Sequence, residues 1–455
     1  MFSQFFANFA AKGRFVPFLG HNKLAIFTRG CYNHSMRKVI TFDSGFRLVI
    51  STNNAVRSVA IGVFVRAGVI VEKPEENGIS HFIEHMLFKG TTTRSAYEIA
   101  REMDVIGANI NAGTGKTYTC FYTSSIDTDA EKCIDMLSDI YFNPTFDPEE
   151  LERERKVVFE EIDENEDDPY DVCYDKAFSE TLKGSPFERT ILGTKESLSA
   201  LTRDDLVRYH KEKYVANNTV LSIAGNVTEE QAVALARKYF EDRFTGEVFD
   251  VPEVPSAVEH SHFESVNKKI EQAHVMLTFP CYASGSEEHP IVSLLSSVFC
   301  GEMSSRLFQS VREKLGLCYS IGGYGVAFPG SGVYLIYTST NKQSVSKVVK
   351  AIRKEIDLFL KDGITDDELT MGKAKLKTAL VLGQESSNAL MKIFGRHLLI
   401  DNELFDIDKE IEFVDGITKD DVRRVASRIF DTKNVCATLV SDGVEVNVLE
   451  EYLQG

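Results

Sequence analysis

The sequence predicts an α+β fold that consists of two homologous domains. At 455 residues the chain is longer than one hydrophobic core usually supports, so at least two domains are expected. Short runs with the alternation of β-strands are interleaved with longer segments of helical periodicity, which places strands and helices in the same domain. Short segments also recur at a nearly constant offset, which indicates a duplication.

The duplication rests on three pairs of segments. These pairs match at offsets of 215 to 218 residues: 146–151 with 364–369, 201–206 with 417–422, and 122–125 with 337–340. Each match is weak alone, and the near-constant offset carries the inference. We therefore predict domains over residues 36–242 and 264–455, joined by a linker over 243–263 where glycine, proline and mixed polar residues concentrate.

The first domain begins with strands and continues with helices. Segments 47–50 and 59–65 are short and rich in β-branched residues, as strands are. A loop then leads to a helix that contains residues 81–88, and a second helix is predicted over 97–106. Residues 117–123 alternate in the manner of a further strand.

The helix around residue 81 carries the most specific pattern in the chain, His81-x-x-Glu84-His85. At about 100° per residue, His81 and His85 lie about 40° apart, and Glu84 lies about 60° to the other side of His81. The rest of the circumference is apolar, so the helix should be buried and its polar groups need partners. Two histidines at i and i+4 can chelate one metal ion, and this spacing is a zinc-peptidase signature. The alternative is a pair of core histidines that bond to backbone carbonyls.

A long acidic helix is predicted over 149–165, preceded by Asp147 and Pro148 in capping positions. Its apolar positions are Leu151, Val158 and Ile162, with Val157 beside them. Glu154 and Glu161 are seven residues apart, so they share one face two turns apart. Since no histidine occurs in the corresponding region of the second copy, 294–308, only one domain is expected to hold a metal.

Charge and composition narrow the functional class. The formal net charge of −17 argues against general nucleic-acid binding. The eight cysteines are scattered without a C-x-x-C pair, which indicates reduced thiols in a cytosol-like compartment. The sequence contains no run of about 18 apolar residues, so no membrane insertion is expected.

Residues 1–35 differ from the rest of the chain because they contain basic residues and several phenylalanines but no acid. This composition is typical of a mitochondrial transit segment. We favour a different interpretation, an upstream start or a loosely attached extension, because Met36 resembles a bacterial start and strand-like sequence begins there. The expected location is therefore the bacterial cytoplasm, with a mitochondrial matrix-like organelle as the alternative.

Four segments together carry a resemblance to a known family: 81–91, 107–112, 152–161 and 305–320. The sequence resembles the M16 family of inverted zinc metallopeptidases, in the group of the mitochondrial processing peptidase β-subunit and its short bacterial relatives. The resemblance extends from about residue 39 to about residue 442. It implies an antiparallel β-sheet covered by helices in each domain, the M16/LuxS-like metallohydrolase fold, and a clamshell in the dimer.

The resemblance implies one Zn²⁺ per chain, held by His81, His85 and Glu161. The neighbouring Glu160 is the alternative candidate for the third zinc ligand. Glu84 resembles the general base that takes a proton from water. Glu154 resembles the carboxylate that supports a ligand from outside the coordination sphere.

Two further pairs resemble substrate-contact residues of the family. Asn111 and Ala112 resemble the start of the edge strand on which substrate is laid, and an ordinary amphipathic strand is the alternative. Arg312 and Tyr319 resemble a pair that contacts the substrate and the carbonyl oxyanion. Without the resemblance, such a pair would more often be structural.

The implied function is that of a zinc-dependent endopeptidase for peptides or for unfolded or presequence-like segments. Because one chain contains both the metal set and the Arg312/Tyr319 pair, a homodimer with an enclosed chamber is expected. Two alternatives stay open: a non-catalytic core or scaffold subunit of the same fold, and the catalytic half of a heterodimer.

Overall fold

The computed structural model describes residues 37–453, which contain one β-sheet in each half of the sequence. The predicted N-terminal extension, 1–35, lies outside the described residues. The strands of the first sheet are β1 (Arg37–Thr41), β2 (Arg47–Thr52), β3 (Ser58–Val65), β4 (Asn109–Thr114), β5 (Thr119–Ile126) and β6 (Thr219–Gly225). The strands of the second sheet are β7 (His262–Asn267), β8 (Gln272–Cys281), β9 (Cys318–Phe328), β10 (Ser331–Asn341) and β11 (Cys436–Ser441).

The two sheets share one plan. Their strand orders are β1-β2-β6-β3-β5-β4 and β7-β11-β8-β10-β9. Most neighbouring strands are antiparallel, as predicted, and each sheet also contains one parallel pair, β2 with β6 and β7 with β11. The parallel pairs arise because β6 and β11 return to their sheets after long helical connections. Strands β4 and β9 lie at corresponding edges.

Helices cover both sheets. In the first half they are α1 (Ile79–Leu87), α2 (Ala96–Val105), α3 (Ala130–Phe142), α4 (Pro148–Asp167), α5 (Pro169–Thr181), α6 (Lys195–Ala200), α7 (Arg203–Lys213) and α8 (Glu229–Tyr239). In the second half they are α9 (His289–Ser296), α10 (Val345–Asp362), α11 (Asp366–Leu382), α12 (Ser387–Ile400), α13 (Ile407–Gly416), α14 (Lys419–Ile429) and α15 (Asn447–Leu453). Segments Ser297–Gly301 and Phe308–Lys314 are π-helical. No helix of the described part of the chain is long and apolar enough to cross a membrane.

The repeated segments of the sequence lie on corresponding elements. Two of the pairs are helix starts, at α4 and α11 and at α7 and α14, and the third lies in β5 and β10. Both α7 and α14 begin with a capping box, in which a threonine side chain and an aspartate three residues later exchange hydrogen bonds with each other's backbone. Helix capping imposes these residue types, so the duplication remains visible where helices begin.

Each half of the chain contributes one helix that packs on the sheet of the other half. Helix α12 packs on β3 and β6, where Met391 and Phe394 join an apolar cluster with Ala60 and Phe64. Helix α5 packs on β8 and β11 of the second sheet. Since α5 follows α4 and α12 follows α11, the exchange is reciprocal and follows the duplication.

The two helices that carry the predicted metal ligands have the expected burial. In α1 the side chains of Phe82, Ile83, Met86 and Leu87 are fully buried. Helix α4 begins at Pro148, and the Asp147 side chain accepts hydrogen bonds from the next two free N–H groups. Its apolar stripe packs as predicted, whereas Val157 is 44% exposed because it is about 100° of helical rotation away from Val158.

Candidate metal centre

Helix α1 begins without a capping side chain of its own. Gly78 precedes it with φ of 93°, and a Cβ there would lie 2.6 Å from the backbone oxygen of Leu192. The cap comes from Glu72, whose buried carboxylate accepts hydrogen bonds from the backbone N–H groups of Gly78 and Ser80 at 3.0 and 3.1 Å. A carboxylate at a helix N-terminus also interacts favourably with the helix dipole. Glu72 therefore fixes the first turn of the helix that carries His81.

Three side chains converge between α1 and α4. His81, His85 and Glu161 each offer one donor atom, and these atoms lie within 4.8 Å of one another. Oε2 of Glu161 is 3.6 Å from Nε2 of both His81 and His85. Zinc bonds of about 2.0–2.2 Å in tetrahedral geometry separate neighbouring ligand atoms by roughly 3.4 Å. The spacing of the donors therefore fits a single zinc ion.

The protonation and bonding of His81 also fit a metal ligand. Burial, assisted by the charge of His85, lowers the pKa of His81 to about 3, so its imidazole is neutral. Nδ1 of His81 is buried and has no hydrogen-bond partner among the described residues. Nε2 lies 3.6 Å from the Glu161 carboxylate, beyond hydrogen-bonding range. A metal ion bound at Nε2 would be the partner that this nitrogen lacks in the described part of the chain, while Nδ1 stays unpaired.

Glu154 supports His85 from the side away from Glu161. Oε2 of Glu154 lies 3.1 Å from Nδ1 of His85, and its Oε1 lies 2.7 Å from Nζ of Lys89. Burial alone would lower the pKa of His85, but the Glu154 bond and the Glu161 and Glu84 charges outweigh it and raise that pKa. Conversely, the bonds from His85 and Lys89 outweigh burial and lower the pKa of Glu154. The second nitrogen of His85 is thus held by a carboxylate, as is usual for metal-ligating histidines.

Glu84 lies on the same side of α1 and is held by the edge strand of the first sheet. Oγ1 of Thr114, at the end of β4, donates a hydrogen bond to Oε2 of Glu84. Burial raises the pKa of Glu84, although the Thr114 bond and the His85 charge oppose the shift. A buried carboxylate with a raised pKa beside a metal site has the properties of a general base.

The structure separates the two neighbouring candidates for the third ligand. Glu161 lies in the cluster with its side chain 38% exposed, whereas Glu160 is exposed and faces away from it. Adjacent residues of a helix differ by about 100° in direction, so only one of the two can meet the histidines.

Asn111 and Ala112 lie in the edge strand β4, which pairs on one side with β5. The Asn111 side chain is exposed, and its Oδ1 accepts a hydrogen bond from the backbone N–H of Ala112 at 2.8 Å. Because β4 is a sheet edge, it offers main-chain groups to an added strand.

Arg312 and Tyr319 are brought together in the second half of the chain. The Arg312 guanidinium lies 5.8 Å from the Tyr319 ring centroid and 4.5 Å from that of Phe308. Tyr319 is the second residue of the edge strand β9 and is 76% exposed. Among the described residues, neither side chain makes a hydrogen bond or ion pair with the metal cluster.

Three residues of the site were missed by sequence reasoning: Glu72, Lys89 and Thr114. Lys89 is four residues after His85 and lies just beyond the end of α1, so its nearness to His85 was available from the sequence. Glu72 could have been suspected from the absence of a capping side chain at Gly78. Thr114 reaches Glu84 through strand packing that no sequence pattern predicts.

Two family models match most of the chain. Residues 47–195 match the model described as Insulinase (Peptidase family M16). Residues 200–376 match the model described as Peptidase M16 inactive domain. Helices α1 and α4 lie within the first match, and Arg312 and Tyr319 lie within the second.

Relatives and solved structures agree with these matches. The chain is 36% identical over 408 residues to the uncharacterized zinc protease YmxG of Bacillus subtilis, covering 89% of this chain and 98% of the relative. It is 33% identical to an uncharacterized zinc protease of Rickettsia felis, covering 84% of this chain and 92% of the relative. A protease structure from Helicobacter pylori superposes with a TM-score of 0.83 at 20% identity, covering 90% of this chain and 99% of that one, which supports the fold.

Proposed function

The chain belongs to the M16 peptidase family, and we propose that it is a zinc-dependent endopeptidase with one zinc ion per chain. The observation that carries the proposal is the convergence of His81, His85 and Glu161 on one point with the spacing of zinc ligands. Three protein ligands leave a fourth position open, which is the arrangement of catalytic rather than structural zinc sites. Glu154, which contacts His85, and Glu84, which lies on the same helix, are the proposed orienting carboxylate and base.

The proposed mechanism assigns a task to each residue. A bound zinc ion would polarise the scissile carbonyl and lower the pKa of the attacking water. Glu84 takes a proton from that water and transfers it to the nitrogen of the leaving amine as the carbon–nitrogen bond breaks. Glu154 keeps the ring of His85 in the orientation required of a ligand.

The proposed substrates are peptides or unfolded segments, including presequence-like ones, which bind in extended form along β4. An added strand forms main-chain hydrogen bonds, so binding requires little side-chain specificity. Asn111 and Ala112 are placed to contact such a strand. The Ala112 N–H would then exchange its bond to the Asn111 side chain for one to the substrate.

A chelator test addresses the catalytic proposal directly. We expect a quenched fluorescent peptide to be cleaved by the zinc-loaded protein, to be left intact after dialysis against a chelator, and to be cleaved again after one equivalent of zinc is returned. Metal analysis should give one zinc per chain. A protein that binds zinc but cleaves no member of a diverse peptide library would support the scaffold alternative instead.

We also propose that two copies face each other and enclose the substrate, with Arg312 and Tyr319 contacting it. The pair has the required chemistry, because guanidinium and phenol groups both donate hydrogen bonds to an oxyanion. Light scattering on the purified chain should give twice the chain mass of 51.0 kDa. A monomer that becomes active only when a second gene product is added would contradict this proposal and support a heterodimer.

A further inference from the structure

Thr114 holds Glu84 through its hydroxyl group. Its Oγ1 donates a hydrogen bond to Oε2 of Glu84. The Thr114 side chain is buried, with 4% of its surface exposed, so water does not compete for this bond. One carboxylate oxygen is thereby engaged, and the other oxygen is left to accept a proton.

The Thr114 hydroxyl lies within reach of two acceptors. Thr119 is the cross-strand partner of Thr114, and their Oγ1 atoms lie 3.2 Å apart. The Thr119 hydroxyl donates to the backbone oxygen of Ala67 at 2.8 Å. A hydroxyl has a single proton to donate, so Thr119 cannot donate to Thr114. The one Thr114 proton therefore has two possible acceptors, Oγ1 of Thr119 and the Glu84 carboxylate. The ionised carboxylate is the stronger acceptor, so the proton goes to Glu84.

From this arrangement we infer that Thr114 is a positioning residue for Glu84, setting the orientation in which Glu84 acts as base. The inference rests on the proposed function, in which Glu84 takes the proton. Thr114 is also the last residue of β4, the strand proposed to hold the substrate. Thr114 thus connects the strand that positions the peptide with the carboxylate that removes the proton. A displacement of Glu84 relative to β4 would change the distance over which the proton moves.

The test compares four variants of the full-length, zinc-loaded protein. Thr114→Val removes the hydroxyl at nearly constant volume, and Thr114→Ser keeps the hydroxyl. Thr119→Val is the matched control, because it deletes a buried hydroxyl of the paired residue that does not bond to Glu84. Thr114→Ala differs from Thr114→Ser by the hydroxyl alone and replaces Thr114→Val if that variant does not fold. Each is measured for kcat, KM, zinc content and thermal midpoint.

We expect Thr114→Val to lower kcat by roughly 10- to 100-fold, which is part of the roughly 10²- to 10⁴-fold that a general base contributes. Its KM should change by less than about twofold, and its zinc content should remain at one per chain. Thr114→Ser should keep kcat within about threefold of the wild type. Thr119→Val should lower the thermal midpoint, since the Ala67 oxygen loses its partner, but keep kcat within about threefold.

Two results would overturn the inference while leaving the proposed function intact. One is a folded Thr114→Val protein whose kcat stays within threefold of an active wild type. The other is a loss of kcat in Thr119→Val as large as in Thr114→Val, which would make the effect structural. A wild-type protein that binds zinc but cleaves no peptide would instead refute the proposed function itself.

Discussion

Replacing Glu84 with Gln is expected to lower kcat by about 10²- to 10⁴-fold and to leave zinc binding intact. The amide has the volume of the carboxylate, and its oxygen can still accept the hydrogen bond from Thr114. It cannot take a proton from water, so the catalytic step loses its base. Because the substitution also removes a buried ionisable group, the thermal midpoint of the metal-free protein should not fall.

Measurement of kcat and zinc stoichiometry on the same preparation separates chemistry from metal loss. Glu84→Asp serves as the control, since it keeps the carboxylate but withdraws it by one methylene group. Its activity should lie between that of the wild type and that of Glu84→Gln. If Glu84→Gln with a full complement of zinc turned over peptide within tenfold of the wild type, Glu84 would not be the base.

The features that the sequence predicts well are those set by local geometry. The positions of His81 and His85 on one face follow from the helical repeat, and the structure places their rings 4.7 Å apart. The start of α4 follows from the Asp147 cap. The duplication is recognisable partly because α7 and α14, which correspond in the two halves, both begin with a capping box. The sheet edge at β4 was implied by family resemblance rather than by periodicity, since a strand pattern does not reveal which strands border it.

The features that the sequence did not predict depend on contacts between distant segments. Thr114 meets Glu84 only because β4 packs beside α1, 30 residues away along the chain. The packing of α12 on the first sheet depends on the close approach of Gly395 to Phe64, where a Cβ would lie 2.2 Å from the ring. Such approaches are determined by tertiary packing, which leaves no periodic signal in either segment.

The acidic face of α4 allows the metal assignment to be tested by a graded series of Glu→Gln substitutions. Glu161→Gln should weaken zinc binding by at least about 100-fold, because the amide is neutral and a direct ligand is expected to matter at least as much as an outer partner. Glu154→Gln should weaken it by about 10- to 100-fold, the range typical of residues that orient a ligand. Glu160→Gln should leave the affinity unchanged, since Glu160 is exposed and lies outside the cluster.

Competition with a chromophoric chelator measures all three affinities under the same conditions, and the order of the losses is more informative than any single value. The three variants make the same change in charge on the same helix, so a general electrostatic effect would weaken binding by similar amounts in each. Direct coordination by Glu161 predicts three different values, because the three carboxylates occupy different positions. Oε2 of Glu161 lies 3.6 Å from the Nε2 atoms of both histidines, and Glu154 lies 3.1 Å from Nδ1, the other ring nitrogen of His85. Glu160 lies outside the cluster. If Glu160→Gln lost more zinc affinity than Glu161→Gln, the third ligand would be Glu160. Helix α4 would then have to be rotated by about 100° relative to its orientation in this structure.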